Sequence, residues 1–161
     1  MASRTAIKGC DDAAVHAFGV TLEALARLNN VFDRSLRQSV GISQTWFEAL
    51  LRIERSGGQM TMGELGDQIA LSSGGVTRLV DRLCTEQLVE RRSCPEDRRV
   101  HYVAITEQGR DTLQEALDVH LEDLREEFVG RLSGDELRIV TEVMDRLRSE
   151  PSSVAGEPIH P

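Results

Sequence analysis

Between Thr61 and Ile105 the apolar residues stop recurring at steps of three and four and begin to alternate. That switch from helical to strand periodicity limits what the chain can fold into. Thr61 and Glu64 have the spacing of a capping box, so a helix is expected to start at Thr61. Met62, Leu65 and Ile69 mark its inner side. A brief turn at Ala70-Leu71-Ser72 leads to a further helix, about Ser73 to Gln87, with Val76, Leu79, Val80 and Leu83 inward. Two short helices joined so tightly form a helix-turn-helix. Leu88 to Ser93 and Val100 to Ile105 then read as two strands, with Val103 and Ile105 on one face and Tyr102 on the other. The loop between them, Cys94 to Arg99, is charged, and a hairpin in this position is a wing.

Helical patterns flank this segment on both sides. From Val15 to Ser39 a stripe of Phe18, Leu22, Leu25, Phe32 and Leu36 predicts an amphipathic helix that Gly41 breaks, with Leu28 and Val31 widening it. Ser43 can cap a second helix carrying Trp46, Phe47, Leu50, Leu51 and Ile53, which Gly57-Gly58 ends. Thr106 can cap a fifth, with Leu113, Leu117, Leu121, Leu124 and Phe128 as its stripe. Ser133 and Glu136 repeat the capping-box pattern before a sixth helix bearing Leu137, Val140, Met144 and Leu147. The expected fold class is mainly α with a small β-hairpin wing.

Composition narrows the function classes. The 161 residues are 40% hydrophobic and 29% charged, a globular balance, and no apolar run approaches the roughly 20 residues needed to cross a bilayer. Met1 to Asp12 has no hydrophobic stretch, so no secretory signal is expected, and the protein reads as cytoplasmic. Cys10, Cys84 and Cys94 cannot all pair within one chain and show no CxxC spacing. Neither a disulfide framework nor a zinc ribbon is expected. The sequence carries no phosphate loop, no nucleophile with a placed base and no metal cluster, which points away from an enzyme and from a cofactor.

A net charge of -8 argues superficially against a nucleic-acid partner, but DNA responds to a local face. From Ser72 to Arg99 six arginines stand against five acids, whereas Glu107 to Glu150 holds thirteen acids and six arginines. The outer face of the fourth helix carries Ser73, Gly74, Thr77, Arg78 and Arg82. Each of Gly74 and Gly75 costs a helix about 1 kcal/mol relative to Ala, and close approach of the backbone to a large surface would explain them. The helix start offers free N–H groups to phosphate, and arginine can fork onto guanine in the major groove. Arginines at a loop tip suit a narrow minor groove. An ordinary solvated surface helix is the alternative reading of the same residues.

The blocks Leu71-Ser-Ser-Gly-Gly-Val-Thr-Arg-Leu-Val-Asp-Arg-Leu83, Leu88-Val-Glu-Arg-Arg92, Pro95-Glu-Asp-Arg-Arg99 and Val103-Ala-Ile-Thr-Glu-Gln-Gly-Arg110 together resemble the MarR family of bacterial regulators. With its helical flanks the resemblance extends over roughly Val15 to Arg148. It implies a winged helix-turn-helix homodimer, most simply a repressor, that binds a pseudo-palindromic operator in double-stranded DNA and is released by a small phenolic or anionic effector. The residues expected at the DNA are Ser72, Ser73, Gly74, Gly75, Thr77, Arg78, Arg82, Arg98 and Arg99, with Arg99 in the minor groove and Asp97 bracing the wing. Cys94 stands where the family often has Asp, which alters the wing's charge pattern.

The implied organisation is a flexible start over 1–14, a dimerisation helix over 15–42, the winged domain over 43–106, dimerisation helices over 107–150 and a disordered tail over 151–161. Trp46 and Phe47 fall near where an effector pocket would lie, although aromatics there also suit plain core. Two alternatives stand beside this reading. One is a redox-sensing regulator using Cys94 or Cys10; the other is a winged-helix module for protein assembly. Cys84, beside Leu83, reads as buried and inert, and His16, His120 and His160 are isolated, so no metal site is expected.

Overall fold

The fold is described from a computed structural model, which covers Gly9, residues 11–93 and residues 101–149. It divides into two compact units, residues 1–123 and 124–161. In the first, α1 (Ala13–Ser39) is capped by Asp12, whose carboxylate accepts from the Ala14 N–H at 2.7 Å. Gly41, at φ 82°, ends the run, and both its N–H and that of Val40 fold back to the Leu36 carbonyl. α2 (Gln44–Arg55) starts at Ser43, whose hydroxyl accepts from the Trp46 N–H. Asp33 of α1 reaches across to accept from the Gln44 N–H at 2.9 Å, which fixes the corner between the two helices.

Gly57 and Gly58, at φ 84° and 87°, turn the chain into β1 (Gln59–Thr61). α3 (Met62–Gln68) follows with both arms of the Thr61–Glu64 capping box formed. α4 (Ser73–Thr85) begins at Ser72, and β2 (Val89–Ser93) and β3 (His101–Ile105) make the hairpin. The sheet has three antiparallel strands in the order β1-β3-β2, where the sequence predicts two. β1 lies against β3 with Met60 opposite Val103, and β2 pairs from Val89↔Ile105 to Ser93↔His101. Ala104 is buried along with Val103 and Ile105 instead of alternating outward, so both faces of β3 are covered at its end.

The core draws Leu36 from α1, Phe47, Leu50 and Ile53 from α2, Leu65 from α3, Val80 and Leu83 from α4, Val103 from β3, and Leu113 and Ala116 from α5 (Glu107–Glu127). The N-terminal half of α1 contributes nothing to it. Val15, Phe18, Leu22 and Leu25 are exposed, Phe18 at 65%.

In the second unit, the end of α5 leads through a 3-10 turn at Val129–Arg131 to α6 (Gly134–Arg148). Ser133 and Glu136 form the expected capping box, with the Glu136 carboxylate accepting from the Ser133 N–H at 2.8 Å. No residue of α6 is buried, and Leu147 is 71% exposed.

Candidate nucleic-acid interface

α4 separates its faces cleanly. Val76, Leu79, Val80 and Leu83 point into the core, while Ser73, Gly74, Thr77, Arg78, Asp81, Arg82 and Thr85 are exposed. The Ser72 hydroxyl caps the helix by accepting from the Gly75 N–H at 3.3 Å. The backbone N–H groups of the first turn not taken by the cap stay open to an acceptor from outside. Gly74 would meet only the far end of Arg78, at 3.8 Å, if it carried a Cβ, so nothing inside the protein demands a glycine there. Thr77 donates to the Ser73 carbonyl and the Arg78 Nε to the Gly74 carbonyl, which holds both side chains along the exposed face.

The charges of this face are sorted by the fold. Asp81, the acid on the helix, pairs with Arg91 of β2 at 2.6 Å, and Glu90 pairs with Arg92, its carboxylate accepting from Nε at 2.8 Å. Arg78 and Arg82 have no carboxylate partner among the described residues. The face that sums to near neutrality in the sequence therefore presents two unneutralised guanidiniums one helical turn apart.

Those two arginines line a groove of about 440 Å³, and of its opposite wall the sequence indicated only Trp46. Arg37 of α1, Ser43, and Thr45 and Trp46 of α2 complete it. Arg37 is tied to Asp33 at 2.6 Å, whose carboxyl that guanidinium and the Gln44 N–H hold below its ordinary value. Trp46 is half-buried and also borders a second hollow of about 320 Å³ with Val40, Ile42 and Leu88. Phe47 faces the other way. It is 2% exposed and packs against the His120 ring at 4.7 Å.

A third hollow, of about 290 Å³, lies between Met62, Thr77, Arg91 and His101, where the hairpin meets the helix-turn-helix. The base of the wing is thus built around α4, with Ser93 facing His101. The tip, with Asp97, Arg98, Arg99 and Cys94, lies outside the described residues, as does Cys10. Cys84 is half-buried, and that burial pushes its thiol above the ordinary value despite the nearby Arg91 charge, which disfavours the thiolate.

Comparison with known proteins places this arrangement. A model of the MarR family matches residues 40–100. The HTH-type transcriptional regulator MhqR of Bacillus subtilis (strain 168) is 31% identical over 130 residues, covering 81% of this chain and 88% of that protein. Among solved structures, the MarR family regulator Sco3205 of Streptomyces coelicolor in complex with DNA superposes with a TM-score of 0.78 at 22% identity, over 82% of this chain and 86% of that one. BpsR of Bordetella bronchiseptica, whose DNA binding is regulated by 6-hydroxynicotinic acid, gives 0.74 at 19% identity, over 83% and 99%. The two structures share the fold, and the relationship to MhqR reaches across nearly its whole length. The chain belongs to the MarR family of winged helix-turn-helix transcriptional regulators.

Proposed function

We propose that this chain works in the cytoplasm as a homodimeric repressor without catalytic chemistry, binding a pseudo-palindromic operator and releasing it when a small phenolic or anionic effector binds. The observation that carries the DNA reading is the exposed face of α4, where Arg78 and Arg82 stand unneutralised beside Ser72, Ser73, Gly74, Gly75 and Thr77. Set in the major groove, Arg78 and Arg82 reach base edges while the hydroxyls and first-turn N–H groups hold phosphate. The wing tip adds Arg98 and Arg99, with Asp97 as brace, in the adjacent minor groove. The DNA complex of Sco3205, which has the same fold, supports this placement.

The effector arm rests on the groove between α2 and α4. An aromatic anion seated against Trp46 would be held by the same guanidiniums that the DNA reading needs, Arg78 and Arg82. Phe47, buried against His120, does not line this groove. Control of BpsR by an aromatic acid supports that ligand class. Among the described residues no helix is long and apolar enough to cross a membrane.

The test is binding to the chain's own upstream DNA, followed by fluorescence anisotropy at several salt concentrations. Wild type should bind a short duplex specifically, with affinity falling steeply as salt rises. Arg78→Ala should lose about tenfold and relax base preference, as expected when one bidentate contact is removed. Arg99→Ala should weaken binding across sequences. Equal affinity of wild type and both variants for the duplex would sink the assignment, and no shift at low salt would favour a protein-assembly role.

A further inference from the structure

The helix-turn-helix is held to the rest of the first unit through Thr106, Gln108, Gly109 and Arg110 at the start of α5. The last carbonyls of α4 are taken by the N–H groups of Glu86, Gln87 and Leu88, which leaves the carbonyls of those three residues to find partners elsewhere. After α4, the three carbonyls of Glu86, Gln87 and Leu88 all turn toward α5. The Gln108 amide donates to Glu86 at 3.3 Å, the Thr106 hydroxyl donates to Gln87 at 2.6 Å, and the Thr106 N–H donates to Leu88 at 3.1 Å. The same Thr106 oxygen accepts from the Gly109 N–H at 2.9 Å and so caps α5. One hydroxyl thus ties the turn that follows α4 to the start of α5.

The approach is closer than a side chain permits. A Cβ on Gly109 would lie 2.0 Å from the Leu88 carbonyl oxygen. Gln87 sits at φ 59°, a left-handed conformation that a glutamine adopts only where its surroundings impose it. On the far side Arg110 pairs with Glu54 at the end of α2 at 3.0 Å, and the Ile105 N–H donates to the Gly58 carbonyl. The first turn of α5 therefore grips the ends of α4 and α2 together.

We propose that Thr106 is a positioning residue for DNA reading, setting the pitch of α4 from α5 through its paired hydroxyl contacts. This rests on the reading of α4 as the recognition helix. Its 13 residues span about 20 Å, so a tilt of about 10° at the clamped end carries Ser73 at the other end through about 3 Å. A base-edge hydrogen bond does not survive such a shift. The clamp is thus a determinant of half-site spacing as well as of affinity.

The probe is the duplex that the wild-type full chain enriches from a randomised pool, compared with the same duplex carrying one inserted central base pair. The ratio of the two affinities cancels any loss of folded protein. Thr106→Val keeps the branched shape but removes the hydroxyl, and should lower this ratio by about tenfold, the loss of one well-made base contact. Thr106→Ser, which retains both hydrogen bonds, should keep the wild-type ratio. Gln108→Ala, an exposed position, should lower it by a smaller factor and carries the test if the valine variant does not fold. A folded Thr106→Val protein with the wild-type ratio, or in its place a Gln108→Ala protein with that ratio, overturns the proposal. Hydrogen exchange at the Thr106 and Gly109 amides reports the clamp without DNA. Enrichment of no duplex by wild type, with slow exchange there, would locate the failure in the DNA reading.

Discussion

His120 looks isolated in the sequence, yet the fold places its ring against Phe32 at 4.9 Å and Phe47 at 4.7 Å, with a buried Nδ1 that has no partner among the described residues. Burial holds its pKa below the ordinary 6.5, and the charges of Asp123 and Glu48 only partly oppose this. The unfolded chain therefore takes up a proton near pH 6.5 that the folded chain resists. This stabilising contribution is complete above 6.5 and is lost as pH falls toward the lower folded value. Asp33, Glu64 and Glu136 are also depressed, but from ordinary values of 3.8 to 4.5, so their contributions fade only in stronger acid. The melting temperature should drop between pH 7 and 5. His120→Phe should flatten that slope while leaving the pH 8 value close to wild type. An unchanged slope in the variant would assign the titration to another group.

At the scale of elements, the packing of α5 against the turn after α4 depends on Gly109. Replacing a helical glycine with alanine ordinarily gains about 1 kcal/mol. Here the new Cβ meets backbone at 2.0 Å, which cannot rotate away, and overpacking of this kind costs about 3 kcal/mol. Gly109→Ala should therefore lower the urea midpoint, whereas Gly63→Ala, where a Cβ meets nothing within 4 Å, should not. Elements with a local signal were legible in the sequence. Thr61–Glu64 and Ser133–Glu136 mark their helix starts by chemistry confined to four residues. β1 was not legible, because three residues between a glycine pair and a capping threonine are too few to show alternation. Its existence depends on β3, more than 40 residues away, offering an edge. Helix α4 ends at Thr85, short of the predicted Gln87, because Gln87 turns left-handed and the Leu88 N–H folds back to the Leu83 carbonyl. The outer face of α4 was legible from spacing as an exposed surface, but the contribution of Arg37 to the groove beside it was not. That contact belongs to tertiary structure, and no pattern along α1 announces it.

For the whole molecule, the stripe of Val15, Phe18, Leu22 and Leu25 has the alternating three- and four-residue steps of a helix seam, and it continues as Phe32 and Leu36 into the core. Its first half is left open to solvent, Leu25 at 48% exposure. A second copy is the occupant that the proposed repressor requires, since two reading heads on one pseudo-palindrome need a fixed separation. Burying one such side chain contributes about 1.5–3 kcal/mol, and a two-fold interface counts each residue twice. Phe18→Glu with Leu25→Glu removes four of these contributions per dimer and adds carboxylates that are costly to desolvate. Sedimentation equilibrium should show wild type as a dimer at micromolar concentration and the double variant as a monomer with unchanged helicity. The monomer should keep the weak, salt-sensitive DNA binding of a single head but lose preference for a two-half-site duplex over a one-half-site duplex. A double variant that remains dimeric would remove α1 from the interface, and a monomer with undiminished two-site preference would remove the dimer from the mechanism.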